Sequence, residues 1–192
     1  MTLTRADLWS LEEYAERRET FRNKIIEHKK IRRVYLGAHA TLCFEDALTM
    51  KYQIQEMLRV EKIFTTNEIE EELQAYTPLI PDGTNWKATF MIEYAEEQER
   101  RGALARMQGI EHKVWVAPAG SPKIFAAANE DMERSNDEKT AAVHFLRFEL
   151  DSDSAERVKA GAEIELGIDH AELPYRIKMD EPIRASLAGD LS

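Results

Sequence analysis

The spacing of apolar residues changes along the chain, and this change constrains the fold more than any other feature. Ser10 and Glu13 have the spacing of a capping box and predict a long helix from about Leu11 to Lys30, to which Leu11, Tyr14, Phe21 and Ile25 give an apolar face. Later segments such as "RRVYLG", "ATLCFE", "WKATFMIEY" and "TAAVHFLRFEL" alternate apolar and polar residues, which is typical of strands. We therefore predict an α+β fold, with a helical N-terminal half packed on a largely antiparallel β-sheet from the C-terminal half.

The length and composition suit one globular domain. The chain has 192 residues, of which 43% are apolar, enough for a sizeable core. We expect a single domain over residues 1–192, with an N-terminal helical segment at 1–31 and an α+β core at 32–192. The charged segment "EDMERSNDEK", residues 130–139, is predicted to be a solvated connector between strands.

Several classes of function are disfavoured by composition. The net charge of −10 disfavours a nucleic-acid role for the whole molecule. The single cysteine, Cys43, excludes an intramolecular disulfide and a cysteine-only zinc or iron–sulfur site, so we expect no cofactor. No segment approaches the ~18 apolar residues of a membrane span. The N-terminus lacks the pattern of a signal peptide, so we expect a cytoplasmic protein.

The segment "MKYQIQEMLRVEKIF" predicts a helix that has polar residues within its apolar face. At about 100° per residue, one face gathers the apolar residues Met50, Ile54, Met57, Leu58, Val60 and Phe64. Gln53 and Glu61 fall in the same arc, where burial without partners costs roughly 1–3 kcal/mol each. One interpretation is that both side chains hydrogen-bond irregular backbone of the turn-rich loop over residues 76–85, and buried polar groups more often serve structure in this way.

The second interpretation is a polar pocket that binds a small molecule. Its lining consists of Gln53 and Glu61 from the helix and Tyr76 and Asp82 from the loop. The chain has no dinucleotide, phosphate-loop, zinc-protease or nucleophile-elbow motif that would specify a reaction for such a pocket.

Two histidines are the candidate metal ligands. His144 and His170 both lie on the apolar side of their predicted strands. Two imidazoles and a carboxylate are a ligand set that iron and zinc sites use. We nevertheless expect no metal, because Asp169 alternates to the face opposite His170 and a third ligand is therefore missing.

Positive charge is concentrated in one part of the chain. Residues 17–33 hold eight basic residues and two glutamates, a net +6, so the remainder carries −16 of the total of −10. Arg17, Arg18 and Arg22 are the candidate residues for binding an acidic partner. The alternatives are pairing with the acidic segments "EIEEEL" or "EYAEEQE" of the same chain, or an ordinary solvated helix face. No interleaved aromatic residues indicate base stacking on a nucleic acid.

Five blocks of sequence resemble a known family. They are "LWSLEEYAERRETFR", "QIQEMLRVEKIF", "EEELQAYTPLIPDG", "VHFLRFEL" and "LGIDHAELPYR", in this order over nearly the whole chain. Together they resemble a bacterial family known as domain of unknown function number 3501. The resemblance implies a stand-alone cytoplasmic protein without an established activity. It also implies a role near rubrerythrin and an iron–sulfur oxidoreductase, which suggests redox or peroxide defence as an association rather than a mechanism.

Two functional hypotheses follow. The first is a non-catalytic accessory protein of a redox or oxidative-stress system that acts through protein contacts. The second is a small-molecule-binding protein or enzyme that uses the pocket of Gln53, Glu61, Tyr76 and Asp82.

Overall fold

The structure is a computed structural model that describes residues 2–130 and 139–192. Most of the charged connector predicted over residues 130–139, namely residues 131–138, lies outside the described residues. The helices are α1 (Leu11–Lys30), α2 (Ala47–Glu61), α3 (Thr66–Tyr76), α4 (Glu97–Arg106), α5 (Ser152–Lys159) and α6 (Glu181–Ala188). The strands are β1 (Arg33–Tyr35), β2 (Ala40–Glu45), β3 (Asn85–Ile92), β4 (Val114–Pro118), β5 (Ile124–Phe125), β6 (Ala127–Ala128), β7 (Val143–Glu149), β8 (Ile164–Ile168) and β9 (Tyr175–Lys178).

The strands form two antiparallel sheets, and the predicted α+β class is confirmed. Within the described residues, one sheet has the order β1-β2-β3-β7-β6 and the other β5-β4-β8-β9. Helices are concentrated in the N-terminal half and strands mostly in the C-terminal half, as predicted. The first sheet differs in one respect, because β1, β2 and β3 come from the first half of the chain. Alternation identifies a strand but does not say which sheet the strand joins.

The largest core contains side chains of both sheets. Leu42, Phe44, Trp86 and Phe90 from the first sheet are buried in the same cluster as Leu166 from the second. In each strand these residues alternate with those of the opposite face, as the pleat requires. Helices α4, α5 and α6 add buried residues to this cluster.

Helices α1, α2 and α3 bury two smaller clusters of their own. Tyr14, Phe21 and Ile25 of α1 pack with half-buried aromatic residues around them. Buried residues of α2 and α3 form the other cluster together with the N-terminal segment and the loop after α3. The α1 bounds match the prediction, because Ser10 and Glu13 form a reciprocal capping box at its start.

The prediction for α2 was wrong about which residues face the core. A capping box of Asp46 and Thr49 starts the helix at Ala47, three residues before the predicted Met50. The helix ends at Glu61, because Lys62 adopts a left-handed conformation with φ 56°. Ile63 and the residues that follow it therefore leave the helical period.

The buried face of α2 consists of Thr49, Met50, Ile54, Gln55 and Leu58. Val60 is 59% exposed and Phe64 73% exposed, so both were counted in the apolar face in error. Because Val60 and Phe64 do not belong to it, the buried face of α2 lies in a different direction from the predicted one. Gln53 is therefore only half-buried, and Glu61 is exposed. Besides Thr49 of the capping box, α2 buries one polar residue, Gln55.

Candidate functional site

Gln55 is satisfied by irregular backbone. Its Oε1 accepts the backbone N–H of Trp9 at 2.6 Å, and its Nε2 donates to the Trp9 carbonyl at 3.3 Å. This is the kind of structural role that the sequence suggested for Gln53 and Glu61, but the residue and the segment are different. Because both backbone groups of Trp9 are bound, Gln55 fixes the position of that residue on the surface of α1 and α2.

The cleft beside the loop contains one of the four residues predicted to line a ligand pocket. A cleft of about 440 Å³ beside the loop is lined by residues 46–48, 80–83 and 189–192, which include Asp82 but not Gln53, Glu61 or Tyr76. The Asp82 carboxylate accepts the backbone N–H and the hydroxyl of Thr84 at 3.0 and 2.7 Å. These two hydrogen bonds lower the pKa of Asp82 below its usual value. The cleft lies at the start of α2, whereas the predicted pocket lay along its middle.

Two further carboxylates of this cleft are bound to a buried arginine. Arg32 is 1% exposed. Its Nη1 and Nη2 donate to the Asp190 carboxylate at 3.1 and 2.6 Å, and its Nε and Nη2 donate to the carbonyls of Phe44 and Glu45. Asp46 lies 3.6 Å from its Nε. Both acids are therefore engaged by the same buried guanidinium inside the protein.

The pKa values of the two acids reflect this cluster. Burial raises the pKa of Asp190 against the opposing attraction of Arg32. Burial also acts on Asp46, but Arg32, the N–H of Thr49 and the His28 ring together lower its pKa. The Nε2 of His28 lies 2.6 Å from the Asp46 carboxylate. The cluster thus joins the end of α1, the start of α2 and the segment after α6.

His144 is a buried residue within a polar network. Its ring is fully buried in β7. Nε2 lies 2.9 Å from both the Thr140 hydroxyl and the Ala141 carbonyl, and Nδ1 lies 2.9 Å from the Asn129 amide. The Thr140 hydroxyl also donates to the Glu111 carboxylate at 3.0 Å. These contacts are those of a satisfied core histidine.

His170 belongs to the other sheet and has different partners. Its Nδ1 accepts the Glu172 N–H at 3.2 Å, and its Nε2 lies 3.3 Å from the Gln108 carbonyl. The Asp169 carboxylate is bound by the Trp115 indole N–H at 2.7 Å and by the Lys123 ammonium at 2.6 Å. Across residues 2–130 and 139–192, no group of three or more His, Cys, Asp or Glu side chains is arranged to hold a metal ion.

Arg18 differs from the other two arginines predicted to bind a partner. Its Nε and Nη2 donate to the two carboxylate oxygens of Glu56 on α2 at 2.7 and 2.9 Å. The hydroxyl of the buried Tyr14 donates to the same carboxylate at 2.6 Å. The Arg18 hydrogen bonds, with those of Tyr14 and Arg59, lower the pKa of Glu56 to about 2. Arg18 therefore connects α1 to α2.

Arg17 lines a groove on the surface of α1 and α2, which we call the Trp9 groove. The groove has a volume of about 440 Å³ and is lined by Trp9, Glu16, Arg17, Thr20, Phe21, Lys24, Leu48 and Lys51. Its aromatic floor is the edge-to-face pair of Trp9 and Phe21, with ring centroids 4.9 Å apart. The Lys51 ammonium lies 3.9 Å and the Arg17 guanidinium 5.4 Å from the centre of the Trp9 ring.

The cations of the Trp9 groove repel one another. Burial lowers the pKa of Lys51, and the charges of Lys24 and Arg17 lower it further against the attraction of Asp7. In the part of the chain that the structure describes, neither Lys24 nor Lys51 forms an ion pair, and Arg17 has only an exposed one with Glu13 at 3.9 Å. Arg22 is exposed on α1 and does not line the groove.

The sequence contains a signal for this groove that the predictions did not include. Arg17, Phe21 and Lys24 are spaced i, i+4 and i+7, which places an aromatic residue between two cations on one face of a helix. Aromatic and basic residues therefore alternate along one face of the helix, although they are not neighbours in the sequence. The contributions of Trp9 and Lys51 come from other segments, and no local pattern indicates them.

The described residues define a two-sheet α+β protein whose N-terminal helices present a basic groove with an aromatic floor. No cluster of three or more potential metal ligands is present among these residues. The chain belongs to the family described as "Protein of unknown function (DUF3501)", which it matches over residues 2–191. This confirms the family resemblance seen in the sequence.

A solved structure is closely similar to the whole chain. It is the crystal structure at 1.90 Å resolution of a novel protein of unknown function from Burkholderia pseudomallei K96243. The two chains are 50% identical, each is covered over 100% of its length, and the TM-score is 0.96. A search of curated proteins gives no match.

The length and hydropathy of the described helices bear on membrane insertion. None of the helices within residues 2–130 and 139–192 is both long and apolar enough to cross a membrane.

Proposed function

We propose that the protein is a non-catalytic accessory protein that binds an acidic segment of a partner protein in the Trp9 groove. The single observation that supports this function is the group of cations around Trp9 that lack buried carboxylate partners. Arg17, Lys24 and Lys51 converge on one aromatic surface, and Lys24 and Lys51 form no ion pair within the described residues. A carboxylate-rich segment would relieve the repulsion between these charges.

The distribution of charge strengthens this assignment. The chain carries −10 overall, so most of its surface repels an acidic partner. The basic stretch at residues 17–33 is the exception, but Arg18 and Arg32 within it are bound to Glu56 and Asp190. Of the open cations in this stretch, Arg17 and Lys24 are the ones that line the Trp9 groove, where Lys51 joins them.

The competing small-molecule hypothesis has less support. It needs Gln53, Glu61, Tyr76 and Asp82 on one pocket, whereas the cleft beside the loop includes only Asp82 of the four. The neighbouring carboxylates of that cleft are engaged by Arg32. We therefore favour the acidic partner.

Fluorescence polarisation with a labelled oligoglutamate peptide tests the proposal. We expect the wild-type protein to bind this peptide, with an affinity that falls as salt rises. The Lys24→Glu/Lys51→Glu variant should bind about tenfold more weakly or worse.

Arg22→Glu is the control, because Arg22 lies on the same helix outside the groove and also changes from a cation to a glutamate. It alters the net charge by half as much as the double variant, so the two losses of affinity are compared per unit of charge. The affinity of Arg22→Glu for oligoglutamate should stay within about twofold of wild type, and this small loss reflects only the more negative net charge of the variant. Equal weakening per unit of charge in both variants would show that only net charge matters and would overturn the groove as the binding site.

The redox identity of the partner rests on the family resemblance alone. We propose rubrerythrin or an iron–sulfur oxidoreductase from the same organism, and each purified protein is to be tested in a pull-down with the three forms of the chain. A complex that is lost in the Lys24→Glu/Lys51→Glu variant and kept in Arg22→Glu supports both the groove and the redox partner. If the protein binds oligoglutamate but forms no complex with either redox protein, the redox assignment is overturned and the groove remains supported as a site for acidic segments.

A further inference from the structure

A second groove adjoins the Trp9 groove. It has a volume of about 330 Å³, and we call it the Phe64 groove. Its apolar lining includes Leu8, Leu58, Ile63, Phe64 and Ile69, together with Trp9. Trp9 therefore lines both grooves, and the two form one surface with a basic part and an apolar part.

The end of α2 places apolar side chains at this groove. Lys62 adopts a left-handed conformation, and the N–H of Ile63 then bonds the carbonyl of Leu58 at 2.9 Å. The turn brings Ile63 and Phe64 to the groove instead of continuing the helix. Phe64 is 73% exposed there and the nearby Val60 59%, although large apolar side chains lower their free energy when they are covered.

Polar groups also line the Phe64 groove, at its rim. The Arg5 guanidinium is bound to the Thr66 hydroxyl at 2.7 Å. Ser10 and Glu12 also lie along the groove, close to the start of α1. An occupant would therefore meet both apolar and polar surface here, and it would meet the cations Arg17, Lys24 and Lys51 on the other side of Trp9.

We propose that the two grooves bind one amphipathic segment of the partner protein, with acidic residues over Arg17, Lys24 and Lys51 and apolar residues in the Phe64 groove. This inference rests on the proposed function and adds the nature of the segment. Charge complementarity selects the acidic part, and because Trp9 lines both grooves, the apolar part can follow it in the same segment. Burying apolar side chains beside a charged region is how grooves on helices obtain both affinity and orientation.

Two labelled peptides test this inference by fluorescence polarisation. One joins an oligoglutamate run to a run containing leucine and phenylalanine, and the other has the same glutamates with glutamine in place of every apolar residue. We expect the amphipathic peptide to bind the wild-type protein about tenfold more tightly. Phe64→Ser should remove this difference while leaving the affinity for the glutamate–glutamine peptide unchanged.

Tyr35→Ser is the matched control, because Tyr35 is an aromatic residue on β1 with 60% exposure that lies outside both grooves. It should leave both affinities unchanged. Equal binding of the two peptides to the wild-type protein would overturn the amphipathic segment and leave the acidic docking site in place. Failure of both peptides to bind would overturn the proposed function itself, and weakening of both by Phe64→Ser would indicate a structural role for Phe64 and overturn the inference.

Discussion

The two ends of the basic stretch over residues 17–33 have opposite surroundings. At its C-terminal end, Arg32 is 1% exposed and donates to Asp190 and to two backbone carbonyls. Toward its N-terminal end, Arg17 and Lys24 border an open groove with aromatic side chains as its floor. The same kind of charge therefore holds the fold together in one place and is left available to a ligand in the other.

The difference follows from the free energy of burying a charge. A buried guanidinium is tolerated only if carboxylates and carbonyls replace its water, so the chain must bring several segments to Arg32. A cation at the rim of a groove keeps its water and needs no partner. A count of charges in the sequence cannot separate the two situations, because the partners of Arg32 include Asp190, far along the chain.

Removal of the buried arginine should have the largest effect on stability. Arg32→Ala would leave the Asp190 carboxylate and the carbonyls of Phe44 and Glu45 without their donors. We expect a loss of about 3–5 kcal/mol in the free energy of unfolding, measured by urea denaturation. Arg32→Lys should retain a folded protein with an intermediate loss.

Lys24→Ala is the control for this variant, and we expect its stability within about 0.5 kcal/mol of wild type. A comparable loss in Lys24→Ala and Arg32→Ala would end the contrast between the two ends of the stretch.

The next largest effect should come from the polar residue inside α2. Gln55→Leu leaves the backbone N–H and carbonyl of Trp9 without partners, so we expect a loss of about 2 kcal/mol in the free energy of unfolding. Affinity for oligoglutamate should also fall, because Trp9 would no longer be fixed in the groove. Gln53→Leu, two positions away and half-buried, should change stability by less than about 0.5 kcal/mol. Equal losses of stability in Gln55→Leu and Gln53→Leu would support the buried face of α2 that the sequence predicted.

The sequence predicted the elements of the fold better than their contacts. The bounds of α1 followed from its capping box and the strands from alternation, because both signals act between neighbouring residues. The predicted face of α2 was wrong because the left-handed turn at Lys62 removes Phe64 from the helical period. The start of α2 was readable in principle, since Asp46 and Thr49 have capping-box spacing.

The candidate site was harder to predict because its parts are distant in sequence. Arg17 was chosen from charge alone, and the structure places it in the Trp9 groove with Lys24 and Lys51. Arg18 was chosen for the same reason, but the carboxylate that binds it lies 38 residues away, at Glu56. No periodicity encodes such a pair, so only the tertiary structure distinguishes the open cation from the paired one.

The carboxylate that binds Arg18 should give a smaller effect that depends on pH. The folded protein lowers the pKa of Glu56 to about 2, from about 4.3 in an unfolded chain. The ionised group therefore stabilises the fold above about pH 4.3, and this contribution is lost as pH falls toward 2. We expect Glu56→Gln to be less stable than wild type by about 1 kcal/mol at neutral pH.

Urea denaturation of the wild type and Glu56→Gln between neutral and acidic pH measures the gap between their free energies of unfolding. It should narrow as pH falls below about 4.3, because Glu56 of the unfolded chain then gains a proton while Glu56 of the folded protein stays ionised until about pH 2, where it too is protonated and resembles glutamine. A gap that stays constant down to the lowest accessible pH would mean that the charge of Glu56 does not stabilise the contact between α1 and α2.

The smallest effect on stability should come from Lys51, although its effect on binding is large. Two interactions of the ammonium oppose each other in the free protein. Its position 3.9 Å from the centre of the Trp9 ring contributes roughly 0.5–1 kcal/mol, while burial and the neighbouring Lys24 and Arg17 disfavour the charge. Because these nearly cancel, Lys51→Gln should change the free energy of unfolding by less than about 0.5 kcal/mol.

The same substitution removes a charge that faces the proposed occupant, so affinity for oligoglutamate should fall about tenfold. Arg22→Gln, the control outside the groove, should leave that affinity within about twofold of wild type. The lowered pKa of Lys51 adds a second readout, because its charge is lost at a lower pH than that of an ordinary lysine. Wild-type affinity should therefore decline with rising pH before the affinity of Lys51→Gln does. If Lys51→Gln lost as much stability as Gln55→Leu, Lys51 would be a structural residue. The contrast between a structural cation, Arg32, and the binding cations of the Trp9 groove would then not hold for Lys51.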